Sequence, residues 1–191
     1  MPLIVIDGLD AAGKSTQALW LYEHLRRSGK TVFLRVHPAT DNFAGAKART
    51  FLLAKGKSAH FASAVFYMLD VVRSILLYSW REYDYLIFER YLMGTAYLPA
   101  PLHWIAFHLF SLIVPTSDLM FFLDISPDEA SRRIAQERGR REMFENLEDL
   151  KRMRRKALSL ALTGRWIIID ANSPIGTVQK EIVKAFQSVV A

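Results

Sequence analysis

Short apolar runs alternate with longer stretches of helical periodicity along the whole chain. Five runs have the length and apolar composition of buried strands, at 3–7, 31–36, 85–88, 119–123 and 165–169. Between them, apolar residues recur every three or four positions, as they do in helices that pack on a sheet. This alternation predicts an α/β protein with a largely parallel sheet.

Local signals mark where several of the predicted helices begin. The segment 126–129, Ser-Pro-Asp-Glu, has the order of a capping box with a proline at the first helical position. Segment 173–174, Ser-Pro, precedes a last helix that extends to about residue 190. Long helical patterns also cover 59–80 and 102–114. No repeat, low-complexity tract or linker divides the chain, so we expect one domain over 1–191.

Composition excludes several classes of protein. The 191 residues are 51% hydrophobic, which is enough for a core, and they include no cysteine. A disulfide framework, a thiolate zinc site, a cysteine-held iron–sulfur cluster and a cysteine nucleophile are therefore excluded. The segment 1–10 lacks the pattern of a signal peptide, and the longest apolar tract, 102–114, is shorter than the ~20 residues of a membrane span. We expect a cytoplasmic protein outside the membrane.

The positive charge is concentrated in one part of the chain. The formal net charge is +6, and residues 132–165 contain eleven cations against five anions, a difference equal to the whole excess. A cationic segment of this kind indicates a polyanionic ligand, either nucleotide phosphates or a nucleic acid.

Residues 8–15, Gly-Leu-Asp-Ala-Ala-Gly-Lys-Ser, match the P-loop pattern. In such a loop, successive backbone N–H groups surround a phosphate, the lysine reaches the β and γ phosphates, and the serine hydroxyl binds Mg²⁺. A chance glycine-rich turn is the alternative, but the strand before the motif and the helix after it favour a P-loop. The predicted ATP-binding residues are Gly8, Asp10, Ala11, Ala12, Gly13, Lys14, Ser15 and Thr16.

A carboxylate on a neighbouring strand would complete the magnesium site. The run 85–88 ends in Glu89, so Ser15 and Glu89 are the predicted metal-binding residues, and Arg90 is predicted near the same phosphates. The alternative is an ion pair at the end of a strand.

The segment 138–142, Arg-Gly-Arg-Arg-Glu, lies between two helical patterns. Phosphoryl transfer needs positive charge around the moving group and exclusion of water, and a short arginine-rich lid can supply both. A solvated basic turn is the alternative. We predict a lid at about 137–144, and the predicted catalytic residues are Lys14, Arg90, Arg138, Arg140 and Arg141.

Taken together, these segments resemble the thymidylate kinases of the P-loop nucleoside monophosphate kinase group over nearly the whole chain. The resemblance implies a three-layer P-loop fold, with a doubly wound sheet of about five parallel strands and helices on both faces. It also implies transfer of the γ-phosphate of ATP, with Mg²⁺, to a nucleoside 5′-monophosphate, most of all dTMP, by a homodimer. In this family the P-loop carboxylate, here Asp10, helps to hold the acceptor sugar. Because Ala11 follows it, the chain resembles members with arginines in the lid.

The acceptor side departs from the family pattern at three places. His37 stands where the family usually has glutamate, Glu89 replaces an aspartate, and Asp70 occupies the position of an arginine counted from Phe66, with Arg73 about one turn further on. Phe66 or its neighbour Tyr67 is either a base-stacking ring or a core residue. The predicted acceptor-binding residues are Asp10, His37, Phe66, Asp70, Arg73, Arg90 and Tyr91.

Two other functions stay open from the sequence. A deoxynucleoside kinase would use Glu89 as the base that accepts a proton from a sugar 5′-hydroxyl. A nucleotide-dependent nucleic-acid-binding module would explain the sequence pI of about 9.6. It ranks third, because the cations flank the predicted lid and no aromatic-interleaved nucleic-acid motif is present.

Overall fold

The computed structural model describes residues 2–54, 57–137 and 146–190. All five predicted strands are confirmed, and each long helical pattern forms a helix. The elements in chain order are β1 (Leu3–Gly8), α1 (Lys14–Arg27), β2 (Val32–Val36), α2 (Phe43–Leu52), α3 (Lys57–Tyr78), β3 (Tyr85–Glu89), a 3₁₀ helix (Leu92–Tyr97), α4 (Leu102–Ile113), β4 (Leu119–Asp124), α5 (Pro127–Glu137), α6 (Leu147–Thr163), β5 (Trp166–Asp170) and α7 (Ile175–Val190).

The five strands form one parallel sheet in the order β2-β3-β1-β4-β5. Every residue of β1 and β3 is buried, as expected for parallel strands that helices cover on both faces. The fold is therefore the predicted α/β arrangement. The order reverses at β1, whose carboxyl end lies between Glu89 of β3 and Leu123 of β4. Ligands of open α/β sheets bind in the crevice at such a switch point.

Two elements were not predicted from the sequence, namely α2 and the 3₁₀ helix. Helix α2 is short and has small residues, with only Gly45 and Ala48 buried. Its start is fixed by Asn42, whose side-chain oxygen accepts a hydrogen bond from the N–H of Gly45 at 3.0 Å. Both elements lie at the carboxyl edge of the sheet, and both contribute to the site described below.

The predicted capping box of α5 forms only in part. Ser126 accepts a hydrogen bond from the N–H of Glu129 at 3.3 Å, as a capping serine should. The carboxylate of Glu129 instead accepts hydrogen bonds from Arg132 and Arg133, and the N–H of Ser126 donates to Asn172. Glu129 therefore orients two arginines and does not accept the hydrogen bond from the N–H of Ser126 that would complete a capping box.

Helices α3 and α4 leave a continuous apolar surface in solvent. The groove between them is lined by Phe61, Val65, Ile105 and Leu109, and each of these side chains is at least 42% exposed. Within α3, the stretch Phe61–Tyr78 is long and apolar enough to cross a bilayer, although a third of it is buried in the fold. Core helices of water-soluble proteins meet the same criterion, so the stretch does not by itself assign the chain to a membrane.

Candidate active site

The P-loop begins where β1 ends and has the backbone conformation that its glycines allow. Gly8 has φ 154°, and a Cβ there would lie 2.5 Å from the carbonyl oxygen of Leu123 on β4. Gly13 caps α1 with φ 85°, a left-handed conformation that costs glycine little. The predicted strand, loop and helix are therefore confirmed, and the N-terminus of α1 points at the loop.

Lys14 lies folded back along the loop. Its Nζ donates to the carbonyl oxygen of Leu9 at 2.5 Å and lies 3.6 Å from a carboxylate oxygen of Asp10. Burial, together with the charge of Arg90, lowers the pKa of Lys14 to about 8. The ammonium group is thus desolvated and available to a phosphate oxygen.

Ser15 and Glu89 meet as predicted at the carboxyl edge of the sheet. The Ser15 hydroxyl donates to Oε1 of Glu89 at 2.6 Å, and Glu89 is buried. One hydroxyl and one carboxylate suit Mg²⁺, which keeps several water or phosphate oxygens and needs few protein ligands. No group of three or more histidine or acidic side chains within the described residues could form an all-protein metal cage.

A cleft of about 1350 Å³ opens on one side of the P-loop, and we call it the outer cleft. One wall is the loop with the first turn of α1, and the other is formed by α5 and the connection from β5 to α7. Arg133 of α5 spans the two walls by donating to the carbonyl oxygens of Ala11, at 3.3 Å, and Ala171, at 3.0 Å. Arg133 was not predicted as a site residue from the sequence. Its spacing of four from Glu129 was the available signal.

A second cavity of about 660 Å³, the inner pocket, lies on the other side of the P-loop. At one end it is polar, with Asp7, Gly8, Asp10 and Arg90. Its far end lies between α2 and α3 and is mostly apolar. The far-end residues are Ala48, Phe51, Leu52, Ser63 and Ala64. Arg90 lines both cavities, so the outer cleft and the inner pocket meet at this guanidinium.

Asp10, which is buried, and the partly buried Arg90 and Tyr97 form a hydrogen-bonded cluster at the junction. Arg90 donates to one oxygen of Asp10 at 2.8 Å, and the Tyr97 hydroxyl donates to the other at 3.0 Å. Burial raises the pKa of Asp10, but the charges of Arg90 and Lys14 outweigh it and hold that pKa well below its usual value. Asp10 is therefore ionised. Tyr97 was not predicted, since no sequence pattern places a 3₁₀ helix there.

Asp7 is a second site residue that was not predicted from the sequence. Its buried carboxylate accepts hydrogen bonds from the N–H groups of Gly8, Tyr91 and Met93, at 2.9, 2.7 and 3.2 Å. Burial raises the pKa of Asp7 against the effect of these donors. Asp7 thus joins the start of the P-loop to the segment after β3. An acidic residue at the end of a buried strand was the sequence signal.

Tyr67, rather than Phe66, lines the inner pocket. The Tyr67 hydroxyl donates to the carbonyl oxygen of Tyr91 at 2.8 Å, and its ring lies against Gly94, where a Cβ would overlap it. Phe66 is not among the lining residues; it stacks on Phe51 of α2 with ring centroids 5.7 Å apart. The two positions differ because successive residues of a helix point about 100° apart.

The comparisons with known proteins agree with this geometry. Residues 6–182 match the family model described as thymidylate kinase. The chain belongs to the thymidylate kinase family. Probable thymidylate kinases from Pyrobaculum calidifontis and Pyrococcus horikoshii are 29% and 31% identical, over 98% and 94% of this chain and 97% and 93% of their own. The solved thymidylate kinase from Candida albicans has the same fold, with a TM-score of 0.77 at 19% identity, covering 98% of this chain and 91% of its own.

Asp70 and Arg73 were predicted to bind the acceptor, but both lie behind the inner pocket. Asp70 is fully buried on α3, where its carboxylate accepts hydrogen bonds from the N–H of Ala39 and the side chain of Asn42, both at 2.7 Å. Arg73 lies one turn further along α3 and is half-buried. Neither is among the lining residues of the pocket. Asp70 holds the loop after β2 against α3, which a carboxylate can do and an arginine could not.

His37 and Tyr91 also lie behind the pocket wall. The Nδ1–H of His37 donates to the carbonyl oxygen of Arg90 at 3.0 Å, and burial lowers the pKa of this histidine to about 4. His37 is therefore neutral near pH 7. Tyr91 buries its ring in the core and donates from its hydroxyl to the carbonyl oxygen of Pro115 at 2.9 Å. Both residues support the Glu89–Arg90 strand end from behind.

The predicted lid arginines, Arg138, Arg140 and Arg141, lie outside the described residues. Their role stays a prediction. Helices α5 and α6, which flank the segment, are described. Among the described residues of α5, Arg132 and Arg133 line the outer cleft.

Proposed function

We propose that this protein transfers the γ-phosphoryl group of ATP to dTMP and forms dTDP. One observation carries the proposal: two cavities of different character meet at Arg90, with the P-loop between them. A kinase of this type must bring two phosphate-bearing ligands together end to end. The membership of the thymidylate kinase family supports dTMP as the acceptor.

The outer cleft suits the donor. Its floor is the P-loop, whose N–H groups and α1 dipole favour the β and γ phosphates, and Lys14 lies within reach of them. The adenosine would lie along the wall formed by Arg133 and the connection from β5 to α7. When bound with ATP, Mg²⁺ would neutralise phosphate charge, and Ser15 and Glu89 are the residues that would hold it.

The inner pocket suits the acceptor. Arg90 would bind the acceptor phosphate, the Asp10–Tyr97 pair would contact the sugar, and the base would lie at the apolar far end beside Tyr67; the contacts within this cluster and the pocket lining support this assignment. The acceptor phosphate is an anion near neutral pH, so its oxygen can attack without a general base. Catalysis then requires positioning and positive charge, which Lys14 and Arg90 supply, with Arg138, Arg140 and Arg141 as the proposed lid.

The acceptor specificity can be tested directly. Purified protein is incubated with Mg·ATP and, separately, with dTMP, dUMP, dCMP, dAMP or thymidine, and nucleotide products are separated by ion-exchange chromatography. We expect dTDP from dTMP at the highest kcat/KM. Phosphorylation of thymidine but not dTMP would replace the proposal with a deoxynucleoside kinase, and no turnover of any acceptor would end it.

We also propose that the working form is a homodimer. The apolar groove between α3 and α4 exposes Phe61, Val65, Ile105 and Leu109, and a second copy would remove this surface from water. Sedimentation velocity should show twice the chain mass, and Ile105→Glu should shift it to the monomer. Leu162→Glu, on an exposed position of α6, is the matched control and should leave the dimer intact. A monomeric unchanged protein would contradict this proposal.

We infer that the protein works in the cytoplasm on free nucleotides rather than on nucleic acid, because ATP and dTMP are found there. The positive charge of the protein would then attract the phosphate groups of ATP and dTMP. Titration of labelled DNA at increasing salt tests this: tight binding whose log affinity falls steeply with log salt would support the nucleic-acid-binding alternative.

A further inference from the structure

Lys156 of α6 makes contacts that the mechanism above does not use. Its Nζ donates to the carbonyl oxygen of Ala96 at 3.2 Å and to that of Leu98 at 2.8 Å. These two carbonyl groups flank Tyr97, at the end of the 3₁₀ helix. The last carbonyl groups of a helix lack partners within it, and a cation is the favoured group at this end. One ammonium group therefore fixes the backbone on both sides of Tyr97.

Lys156 differs from the exposed cations of its helix. Arg154, which is also partly buried, pairs with the carboxylate of Asp124 on β4. Lys151 and Arg152 form exposed ion pairs with Glu148 and Asp149 one turn away. Lys156 is partly buried, and it donates hydrogen bonds to two backbone oxygens at the end of the 3₁₀ helix. Burial disfavours the charged form of Lys156 and therefore lowers its pKa. Keeping the ammonium group beside the two carbonyl oxygens thus has a cost in stability.

The hydrogen bonds continue from Lys156 into the inner pocket. Tyr97 donates through its hydroxyl to Oδ2 of Asp10 at 3.0 Å, and Arg90 donates to Oδ1 of the same carboxylate at 2.8 Å. Tyr97, Asp10 and Arg90 all line the pocket, whereas Lys156 is not among the described lining residues. Its influence on a bound acceptor must therefore pass through Tyr97.

We propose that Lys156 is a positioning residue that fixes the backbone of Tyr97, and through it the Tyr97–Asp10 hydrogen bond that shapes the acceptor site. The inference rests on the assignment of the inner pocket to the acceptor under the proposed function. It predicts a selective effect: loss of Lys156 weakens use of the acceptor and leaves use of ATP unchanged, since the outer cleft has no contact with the 3₁₀ helix among its described lining residues.

The test is a double-mutant cycle on steady-state kinetics. Lys156→Met keeps the length of the side chain and removes the donors. We expect the KM for dTMP to rise about tenfold, the effect of one charge-assisted hydrogen bond, with the KM for ATP unchanged. Lys151→Met, on the exposed face of the same helix, is the matched control and should change neither. Lys156→Arg keeps the positive charge and has N–H donors for both carbonyl oxygens, so its KM for dTMP should stay close to that of the unchanged protein.

The cycle is closed with Tyr97→Phe, which removes the hydroxyl that Lys156 is proposed to place. The double variant should be little worse than Tyr97→Phe alone, because the positioned group is already absent. The proposal would be overturned if the rise in the KM for dTMP in the double variant were the product of the rises in the two single variants. It would also be overturned if Lys156→Met raised the KM for ATP as much as the KM for dTMP, since Lys156 would then stabilise the fold in general. If Lys156→Met unfolds at the assay temperature, Lys156→Gln, with neutral donors, takes its place in the cycle.

Calorimetric titration of dTMP separates this inference from the proposed function. If the unchanged protein phosphorylates no acceptor but binds dTMP, the proposed function fails, while the same variants still test Lys156 through the dissociation constant. If turnover is normal and dTMP affinity is the same in Lys156→Met and the unchanged protein, Lys156 has no positioning role.

Discussion

The outer cleft and the inner pocket share Arg90, yet the chain builds them in different ways. The outer cleft, at about 1350 Å³, has as its floor one continuous segment, 11–17. The inner pocket, at about 660 Å³, takes its lining from β1, the P-loop, α2, α3 and the 3₁₀ helix. On the proposed assignment, the donor phosphates would be held mainly by the backbone of this one segment. The acceptor would be bound by residues that come together only after distant parts of the chain have packed.

The two cavities also differ in how their charges are balanced. In the inner pocket, the carboxylate of Asp10 accepts hydrogen bonds from Arg90 and Tyr97. On the outer side, Lys14 donates to the carbonyl oxygen of Leu9 and lies 3.6 Å from Asp10, and within the described part of the chain no carboxylate is closer to it. We therefore expect a phosphate in the outer cleft to give Lys14 a closer anionic partner, whereas a ligand of the inner pocket would meet a carboxylate that already has two donors.

The largest effect is expected from removing the lysine of the P-loop, which lines the outer cleft. Lys14→Ala should lower kcat by at least about 10²- to 10³-fold, since a positioned donor that stabilises transition-state charge is worth that much. Circular dichroism should show an unchanged fold. Lys30→Ala, an exposed lysine beyond the end of α1, is the control and should keep full activity. Wild-type activity of Lys14→Ala would remove the P-loop from the mechanism.

The matching change in the inner pocket should affect stability as well as activity. Asp10→Asn keeps the shape of the side chain but leaves the partly buried Arg90 without its anion. We expect the free energy of unfolding, measured by urea denaturation at pH 7, where Asp10 is ionised, to fall by up to about 3 kcal/mol, because a fully buried pair would cost that much or more to break.

Asp128→Asn, at an exposed position in the first turn of α5, controls for the loss of a charge. It should change the free energy of unfolding by less than about 0.5 kcal/mol. A loss below about 1 kcal/mol in Asp10→Asn would mean that the Asp10–Arg90 pair contributes little, and that the two cavities do not differ in charge balance as argued.

Low pH should destabilise the wall of the inner pocket through His37. Its pKa is about 4 in the fold and about 6.5 when unfolded, so the unfolded chain binds more protons between these values. The free energy of unfolding should therefore fall as the pH falls from about 6.5 to 4, by up to about 3 kcal/mol. His37→Gln, measured beside the unchanged protein, removes this contribution while all other titrating groups stay.

The difference in the free energy of unfolding between the unchanged protein and His37→Gln should be constant above pH 7 and shrink below pH 6. Parallel stability curves from pH 7 to pH 4 would show that His37 is not held neutral by burial.

The difference in construction explains which parts of the site could be predicted. The P-loop, the five strands and Glu89 were predictable because each depends on a contiguous pattern. Asp7 and Tyr97 were not, because their roles arise from contacts with residues more than 80 positions away in the chain. Helix α3 shows the limit most clearly: its periodicity predicts a buried face, but the choice between Phe66 and Tyr67 depends on α2 and the 3₁₀ helix packing against it.

The smallest effect concerns a glycine that no motif singled out. Gly94 lies on the 3₁₀ helix against the Tyr67 ring, and an alanine methyl group there would overlap the ring. Gly94→Ala should therefore displace Tyr67, cost about 1–3 kcal/mol of the free energy of unfolding as overpacking does, and raise the KM for the acceptor more than the KM for ATP.

Gly176→Ala, in the first turn of α7, is the matched control because nothing lies within 4 Å of the added methyl group. There alanine should be neutral or stabilise the helix by up to about 1 kcal/mol, with both KM values unchanged. Thermal unfolding and steady-state kinetics on the pair separate a local clash in the inner pocket from the general effect of replacing glycine. Equal behaviour of the two variants would mean that the Tyr67 ring can move without affecting the acceptor, and that this wall of the pocket is less tightly built than its packing indicates.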